Sequence, residues 1–268
     1  MGLNRIENVG YIQSIMKISV ITVVLNDCSG MPGTLISVNQ QTYNDKEYIV
    51  IDGGSTDGTM DIIRQHKAWI DCLVSERDQG LYDAMNKGII RATGEYLCFI
   101  NSGDCFVSEK TLQQIADYIL VNKPDYLYGD ALIRDGTRLL YKKARSHRLA
   151  WYGMFTNHQS MVYRRDVILA NMLLYDTTYK IAADYEFTVR FLKFAHKVGY
   201  IPQAFSIFLK GGLSEQRMED GAKEAGRVRK EVLGCTWVTR LICRILIKLS
   251  HFVSRHLGKV YGWLRYGQ

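Results

Sequence analysis

The sequence predicts an α/β protein, with a mostly parallel central sheet flanked by helices and a helical, basic C-terminal extension. Three observations predict it. Short β-branched runs alternate with segments whose apolar residues recur at helical intervals. The first four strand-like runs each end in a cluster of Asp, Asn, Ser, Gly or Glu. The chain has 268 residues, 47% hydrophobic and 23% charged, which suits one large domain with an appendage and excludes a mainly disordered chain.

Taken in order, Ile18–Leu25 is the first strand, and Pro32 opens a short helix over Thr34–Gln41. Lys46–Asp52 is the second strand and Thr59–His66 the next helix. Asp71–Glu76 is the third strand, followed by a helix over Tyr82–Ala92 with Ala84, Met85 and Ile89 on one side. Tyr96–Ile100 is the fourth strand, Ser108 caps a helix reaching Val121, and Tyr126–Leu132 is the fifth strand. Strands separated by helices imply right-handed crossovers, with ligands beyond the carboxyl ends of the strands. Residues 1–15 form a poorly patterned leader, and Met16, just before the first strand, is a candidate for the true start.

Several function classes fall away. No apolar run approaches the roughly 18 residues that cross a bilayer, and no basic-then-apolar signal opens the chain. The six Cys include no CxxC pair, which leaves zinc and redox motifs without support and points to a reducing cytosolic compartment. There is no GxGxxG after the first strand and no GxxxxGK[ST] anywhere, so dinucleotide and P-loop sites lack their phosphate cradle. The net charge of +7 is concentrated at one end. Residues 222–268 hold ten Lys and Arg against Glu224 and Glu231, and the rest of the chain is close to neutral. The basic balance therefore describes the appendage and does not argue for nucleic acid.

The strand ends carry the chemistry. They read Asn26-Asp27, then Asp52-Gly53-Gly54-Ser55-Thr56-Asp57-Gly58-Thr59, then Glu76-Arg77-Asp78-Gln79-Gly80, then Asn101-Ser102-Gly103-Asp104. An acidic edge suits a metal ion or the donor groups of a sugar or nucleobase better than naked phosphates. The segments ITVVLN, VIDGGSTDGT and SERDQGLYDAMNKGIIRATGEYLCFINSGD resemble the family 2 glycosyltransferases of GT-A fold. NHQSMVYRR, IAADYEF and FLKGGLSEQ further resemble the members that build colanic acid and other bacterial surface polysaccharides. The likeness spans residues 16–233 and rests on the ordered set, since each motif alone is weak.

The resemblance implies an inverting transfer of a sugar from a nucleotide sugar to an acceptor hydroxyl. Mg²⁺ or Mn²⁺ would offset the charge of the nucleoside-diphosphate leaving group. The family's DxD motif falls on Ser102-Gly103-Asp104, which makes Asp104 the metal carboxylate and leaves Ser102 where an acid is usual. Asp52 lies where the family reads the nucleobase, with Thr22 and Asn26 bordering that pocket. Lys87 is a candidate for the diphosphate. Its alternative is an ion pair with Asp83, four residues away on the same helical face. An acceptor hydroxyl needs a general base. The family's acid motif matches Ala183-Asp184-Tyr185, which selects Asp184, with Glu186 as a rival that cannot face the same way. The alternative for Asp184 is a helix cap. His158, Gln159 and Gly212 are candidate acceptor contacts, and Trp151 and Tyr152 are available to stack on a sugar.

The expected organisation is a catalytic domain over residues 16–215 and a basic amphipathic region over 216–268. In that region Val238, Leu241, Ile242, Ile245, Leu249, Phe252, Val253, Val260 and Leu264 keep helical spacing, while Arg240, Arg244, Lys248, Arg255 and Lys259 fall on another side. The stripe either meets an anionic membrane or docks on the catalytic domain. The first option fits a cytoplasmic enzyme, peripheral on the inner face of the membrane, acting on a polyprenyl-diphosphate-linked glycan. Two other readings compete. A sugar-nucleotide pyrophosphorylase would want Lys or Arg in the loop after strand one, and Asn26–Gly33 has neither. A non-enzymatic membrane or nucleic-acid binder would leave the acidic edge without a purpose.

Overall fold

The computed structural model describes residues 16–256; the leader 1–15 and the tail positions Lys259, Val260 and Leu264 lie outside the described residues. The elements are β1 (Ile18–Val24), α1 (Met31–Asn39), β2 (Lys46–Asp52), α2 (Thr59–Gln65), β3 (Cys72–Ser75), α3 (Leu81–Arg91), β4 (Tyr96–Phe99), β5 (Cys105–Phe106), α4 (Thr111–Asn122), β6 (Tyr126–Asp135), β7 (Arg138–Lys142), β8 (Met161–Arg164), α5 (Arg165–Ala170), α6 (Ala183–Leu192), β9 (Val198–Leu209), α7 (Leu213–Gln216), α8 (Met218–Glu231) and α9 (Trp237–His256). Helix starts differ from the sequence reading, by one residue at α3 and by more at α1 and α4. α1 begins at Met31, taking Pro32 into its first turn, where a missing N–H costs nothing. α4 begins at Thr111, and Ser108 receives the Lys110 N–H in the turn before it at 3.3 Å.

The sheet order is β3-β2-β1-β4-β8-β6-β9-β5, with β7 paired to β6. The α/β class holds, and the parallel part is β3-β2-β1-β4 together with β6-β9. The rest is antiparallel: β8 inserts between β4 and β6, β7 forms a hairpin with β6, and β5 pairs with β9. Those two strands run in the same sense, linked through α4, yet never pair with each other. Such a strand, returning without a crossover helix, gives none of the alternation that marked the first half.

Every residue of β1 is buried. Its side chains alternate between the two faces: Ile21 and Val23 enter one core, Ile18, Val20 and Val24 the other. α3 covers the first face with Tyr82, Met85 and Ile89, and approaches β1 so closely that a Cβ on Gly88 would stand 2.4 Å from Ile21 Cγ2. α6 and α8 cover the same face further along, with Val228 of α8 fully buried in that core. The expected boundary at 215/216 therefore does not divide two cores. α8 belongs to the body of the protein, and α9 rests on it with Cys243 buried while Trp237, Leu241 and Ile245 stay exposed.

Candidate active site

The loops at the carboxyl ends of β1 and β4 form one end of a cavity of about 1370 Å³. Asp27, Asn101, Ser102, Gly103 and Asp104 line that end, and Asp184 at the start of α6 lines the same cavity. The remaining wall combines cationic side chains (Lys142, Lys143, Arg145 and Arg229) with an apolar set that includes Tyr152, Met154, Phe155, Leu246 and Leu249.

The DGGSTDGT loop shapes the acidic end by holding the turn after β1. Ser55 Oγ accepts the Asn26 N–H at 2.8 Å, Asn26 Oδ1 accepts the Thr56 N–H at 2.8 Å, and Thr59 Oγ1 accepts the Asp27 N–H at 3.0 Å. Asn26 takes a left-handed φ of 51°, a conformation Asn tolerates better than most residues. Asp27, so placed, accepts the Ser102 hydroxyl on Oδ2 at 2.7 Å and the Gly30 N–H on Oδ1 at 2.9 Å. Ser102, which stands where the sequence lacks a second acid two residues before Asp104, is thus bonded to a carboxylate from the turn after β1. Sequence reading recorded Asp27 at the end of strand one and gave it no role; its signal was adjacency to Asn26.

Asp104 is almost fully buried, and its Oδ2 accepts the Gln159 side-chain amide. Thr34 of α1 braces the turn from behind, accepting the Gly103 N–H at 3.0 Å and donating to the Asp104 carbonyl at 2.8 Å. Burial pushes the Asp104 carboxyl up to about 7; the Gln159 and Leu209 hydrogen bonds oppose this, and the Asp27 charge adds to it. Asn101 Oδ1 is buried with no hydrogen-bond partner. Among the described residues no three His, Cys, Asp or Glu gather around one point. The oxygens of Asp27, Ser102, Asp104 and Asn101 nevertheless have the hard-donor chemistry of a Mg²⁺ or Mn²⁺ site that shares its shell with diphosphate oxygens. The unpartnered Asn101 oxygen fits that reading.

Asp184 sits in the first turn of α6, where its Oδ1 accepts the Tyr185 N–H at 2.7 Å. Burial raises its carboxyl to about 6, against the pull of that helix-end bond and of Lys142. A carboxylate with that value is ionised at neutral pH and strong enough as a base to take a hydroxyl proton as it is released. The rival Glu186 is buried, bonded to Arg190 at 2.5 and 2.8 Å, and absent from the cavity wall.

Other sequence-derived positions fall elsewhere. Thr22 is buried inside β1, donating to the Ile100 carbonyl at 2.7 Å and meeting Tyr48 Oη at 3.1 Å, and is not part of this cavity's wall. Asp52 is also fully buried. Its carboxylate receives the N–H groups of Gly54 and Ser55 and the Ser75 hydroxyl, and so ties the end of β2 to that of β3 outside the cavity wall. Lys87 pairs with Glu76 at 2.9 Å and with Asp83 at 3.6 Å, and donates to the Arg77 carbonyl at 3.3 Å. The local ion pair is what forms, and neither Lys87 nor Asp83 lines the cavity. His158 does line it, but it is buried against Phe99 with Nε2 3.1 Å from Tyr175 Oη, and desolvation lowers it to about 4, which keeps the ring neutral. Gln159 contributes through Asp104, and Gly212 and Tyr152 stand in the wall.

Comparison with known proteins follows from this geometry. The family model described as "Glycosyl transferase family 2" matches residues 19–180. The chain is 34% identical over 186 residues to a PGL/p-HBAD biosynthesis glycosyltransferase of Mycobacterium tuberculosis, covering 64% of this chain and 68% of that protein. It resembles in fold the S. aureus TarS 1–349 structure in complex with UDP-GlcNAc (TM-score 0.68, 21% identity, 91% of this chain and 73% of that one). It likewise resembles the Pyrobaculum calidifontis mannosyltransferase PcManGT in complex with GDP-Man and Mn²⁺ (TM-score 0.62, 15% identity, 82% and 64%). With the family model spanning more than half its length and a GT-A fold beneath it, this chain belongs to glycosyl transferase family 2 and is a glycosyltransferase.

Proposed function

We propose that this glycosyltransferase inverts the anomeric centre of a UDP- or GDP-linked sugar while passing it to a hydroxyl of a lipid-linked acceptor, with Asp184 as general base. The observation that carries the reading is one cavity that joins the Asp27–Ser102–Asp104 end to an Asp184 carboxyl tuned to about 6. When bound, a divalent ion at Asp104, Asp27, Ser102 and Asn101 supplies charge neutralisation for the diphosphate. Asp184 accepts the acceptor's hydroxyl proton as that oxygen bonds to the anomeric carbon. The glycosidic electron pair departs with the nucleoside diphosphate. Titratable groups that burial has pushed away from their usual values, gathered in one cleft, are what such chemistry requires.

The acceptor end supports a polyprenyl-diphosphate-linked glycan, as used in bacterial surface polysaccharide synthesis. Lys142, Lys143, Arg145 and Arg229 give phosphates a cationic wall, and Leu246 and Leu249 of α9 give a lipid stem apolar contact. The outer face of α9 supports attachment to an anionic membrane surface: Trp237, Leu241 and Ile245 recur at one-turn spacing, with Arg240 and Arg244 beside them. Among the described residues no helix is long and apolar enough to cross a membrane. The test is a screen of nucleotide sugars with Mn²⁺ and a short-chain polyprenyl-diphosphate glycan. Transfer that requires the lipid-linked acceptor and fails in Asp184→Asn is the expected result. Transfer by Asp184→Asn at the wild-type rate would overturn the assignment of the base.

A further inference from the structure

The loop that leads into α6 is gripped by the C-terminal helices. The N–H groups of Lys180, Ile181 and Ala182 all donate to the Glu224 carboxylate of α8, at 2.9, 2.9 and 2.8 Å. Ala182 is the N-cap residue of α6 and offers no side-chain cap; Glu224 holds its N–H and those of the two residues before it, fixing the approach of the chain to the helix from another element. Across the loop, Tyr82 of α3 donates its hydroxyl to the Ile181 carbonyl at 2.7 Å, and Asn86 exchanges bonds of 2.9 and 2.7 Å with the Tyr175 backbone. Arg227, one turn beyond Glu224, donates to Thr178 Oγ1 at 3.0 Å and lies 4.2 Å from the Tyr179 ring centroid. A Cβ on Gly221 would stand 3.1 Å from Ile181 Cγ2, so α8 lies against the loop with no slack there.

We propose that Glu224 is a positioning residue for Asp184: by collecting three consecutive N–H groups it sets the entry of the chain into α6 and hence the aim of the Asp184 carboxylate into the cavity. This rests on Asp184 being the base. A loop wedged between α3 and α8 has one arrangement while the carboxylate is present. Without it, three amide groups turn to water and the chain entering α6 loses the anchor that sets its direction. A displacement of about 1 Å at a reacting group is enough to cost about 10²-fold in rate. The inference also gives the segment after residue 215 a catalytic consequence.

The groups facing Asp184 are Lys142 from β7, Glu224 from α8, and the hydroxyls of Tyr82 from α3, Tyr126 from β6, Tyr163 from β8 and Tyr175 before α6. Lys142 holds the Asp184 carboxyl down and Glu224 holds it up. Loss of the Glu224 charge therefore moves the acidic limb of the kcat profile to lower pH.

The experiment compares full-length wild type, Glu224→Ala, Glu224→Gln and Asp184→Asn. It measures kcat, donor KM, the pH profile of kcat and thermal stabilisation by UDP or GDP with Mn²⁺. Glu224→Ala is expected to lower kcat by about 10- to 100-fold with donor KM within about twofold. Glu224→Gln, which keeps one acceptor oxygen, is expected to recover part of that loss and to shift the acidic limb downward. Glu224→Ala at near wild-type kcat beside an inactive Asp184→Asn overturns the positioning role and leaves the base intact. An active Asp184→Asn overturns both. If Glu224→Ala shows no nucleotide-dependent stabilisation, and so does not fold, Glu224→Gln decides alone: a kcat equal to that of wild type, beside an inactive Asp184→Asn, overturns the proposal.

Discussion

Asp184 and Glu186 show how a two-residue offset decides between rival acids. On α6 they point to opposite sides, so one carboxylate enters the cavity while the other is tied to Arg190. Asp184→Asn is expected to reduce kcat by more than about 10²-fold, the scale of a lost general base, measured under saturating donor. The same substitution should stabilise the fold at alkaline pH. Burial lifts the Asp184 pKa to about 6, so the native state holds that proton more tightly than the unfolded chain does. The stability tied to this proton is full at low pH and is lost as pH rises through about 6. The Tm of Asp184→Asn should therefore exceed that of wild type at pH 8, with the gap closing towards pH 4. At the other end of the cavity Asp27 meets the Ser102 hydroxyl beside the buried Asp104. Asp27→Asn should raise the Mn²⁺ concentration needed for half-maximal nucleotide-dependent stabilisation, read by thermal shift. An unchanged Mn²⁺ requirement would remove Asp27 from the metal end.

At the scale of elements, α3 and α9 make opposite demands on their apolar residues. α3 is pressed against the sheet, so Gly88→Ala would set a methyl 2.4 Å from Ile21 Cγ2. It should cost about 1–3 kcal/mol by overpacking, seen as a lower urea midpoint. α9 exposes a stripe that contributes little to the fold. Leu241→Glu with Ile245→Glu should leave Tm within a degree or two, roughly the range of surface changes. The same pair should abolish sedimentation with anionic vesicles at low salt. Loss of Tm without loss of vesicle binding would mean that the stripe is a packing face. The two outcomes correspond to the two readings that helical periodicity alone left open for this segment. Periodicity reports that one side of a helix is apolar and says nothing about what covers it.

At the scale of the molecule, the parts that meet in the cavity come from β1, β4, the β7 edge, α6, α8 and α9, and its lining runs from Asp27 to Leu249. The alternation of β-branched runs with helical periods fixed the α/β class, the first four strands and the acidic loops at their carboxyl ends, because local backbone preference and side-chain period act within a few residues. The ordered motifs named the family, and they singled out Asp104 and Asp184, two carboxylates that the fold brings to one cavity. Contacts across the chain decided the rest. Asp52 and Thr22 carry the right chemistry, yet neighbouring strands and loop amides enclose them. Lys87 finds Glu76, nearer than the Asp83 that the sequence offered. β8 inserts between β4 and β6, and Glu224 crosses from α8 to hold the loop that leads into α6. A one-dimensional pattern records which groups are available. Which of them keep a free lone pair facing the cleft depends on what the fold brings against them, and only the three-dimensional arrangement assigns those partners.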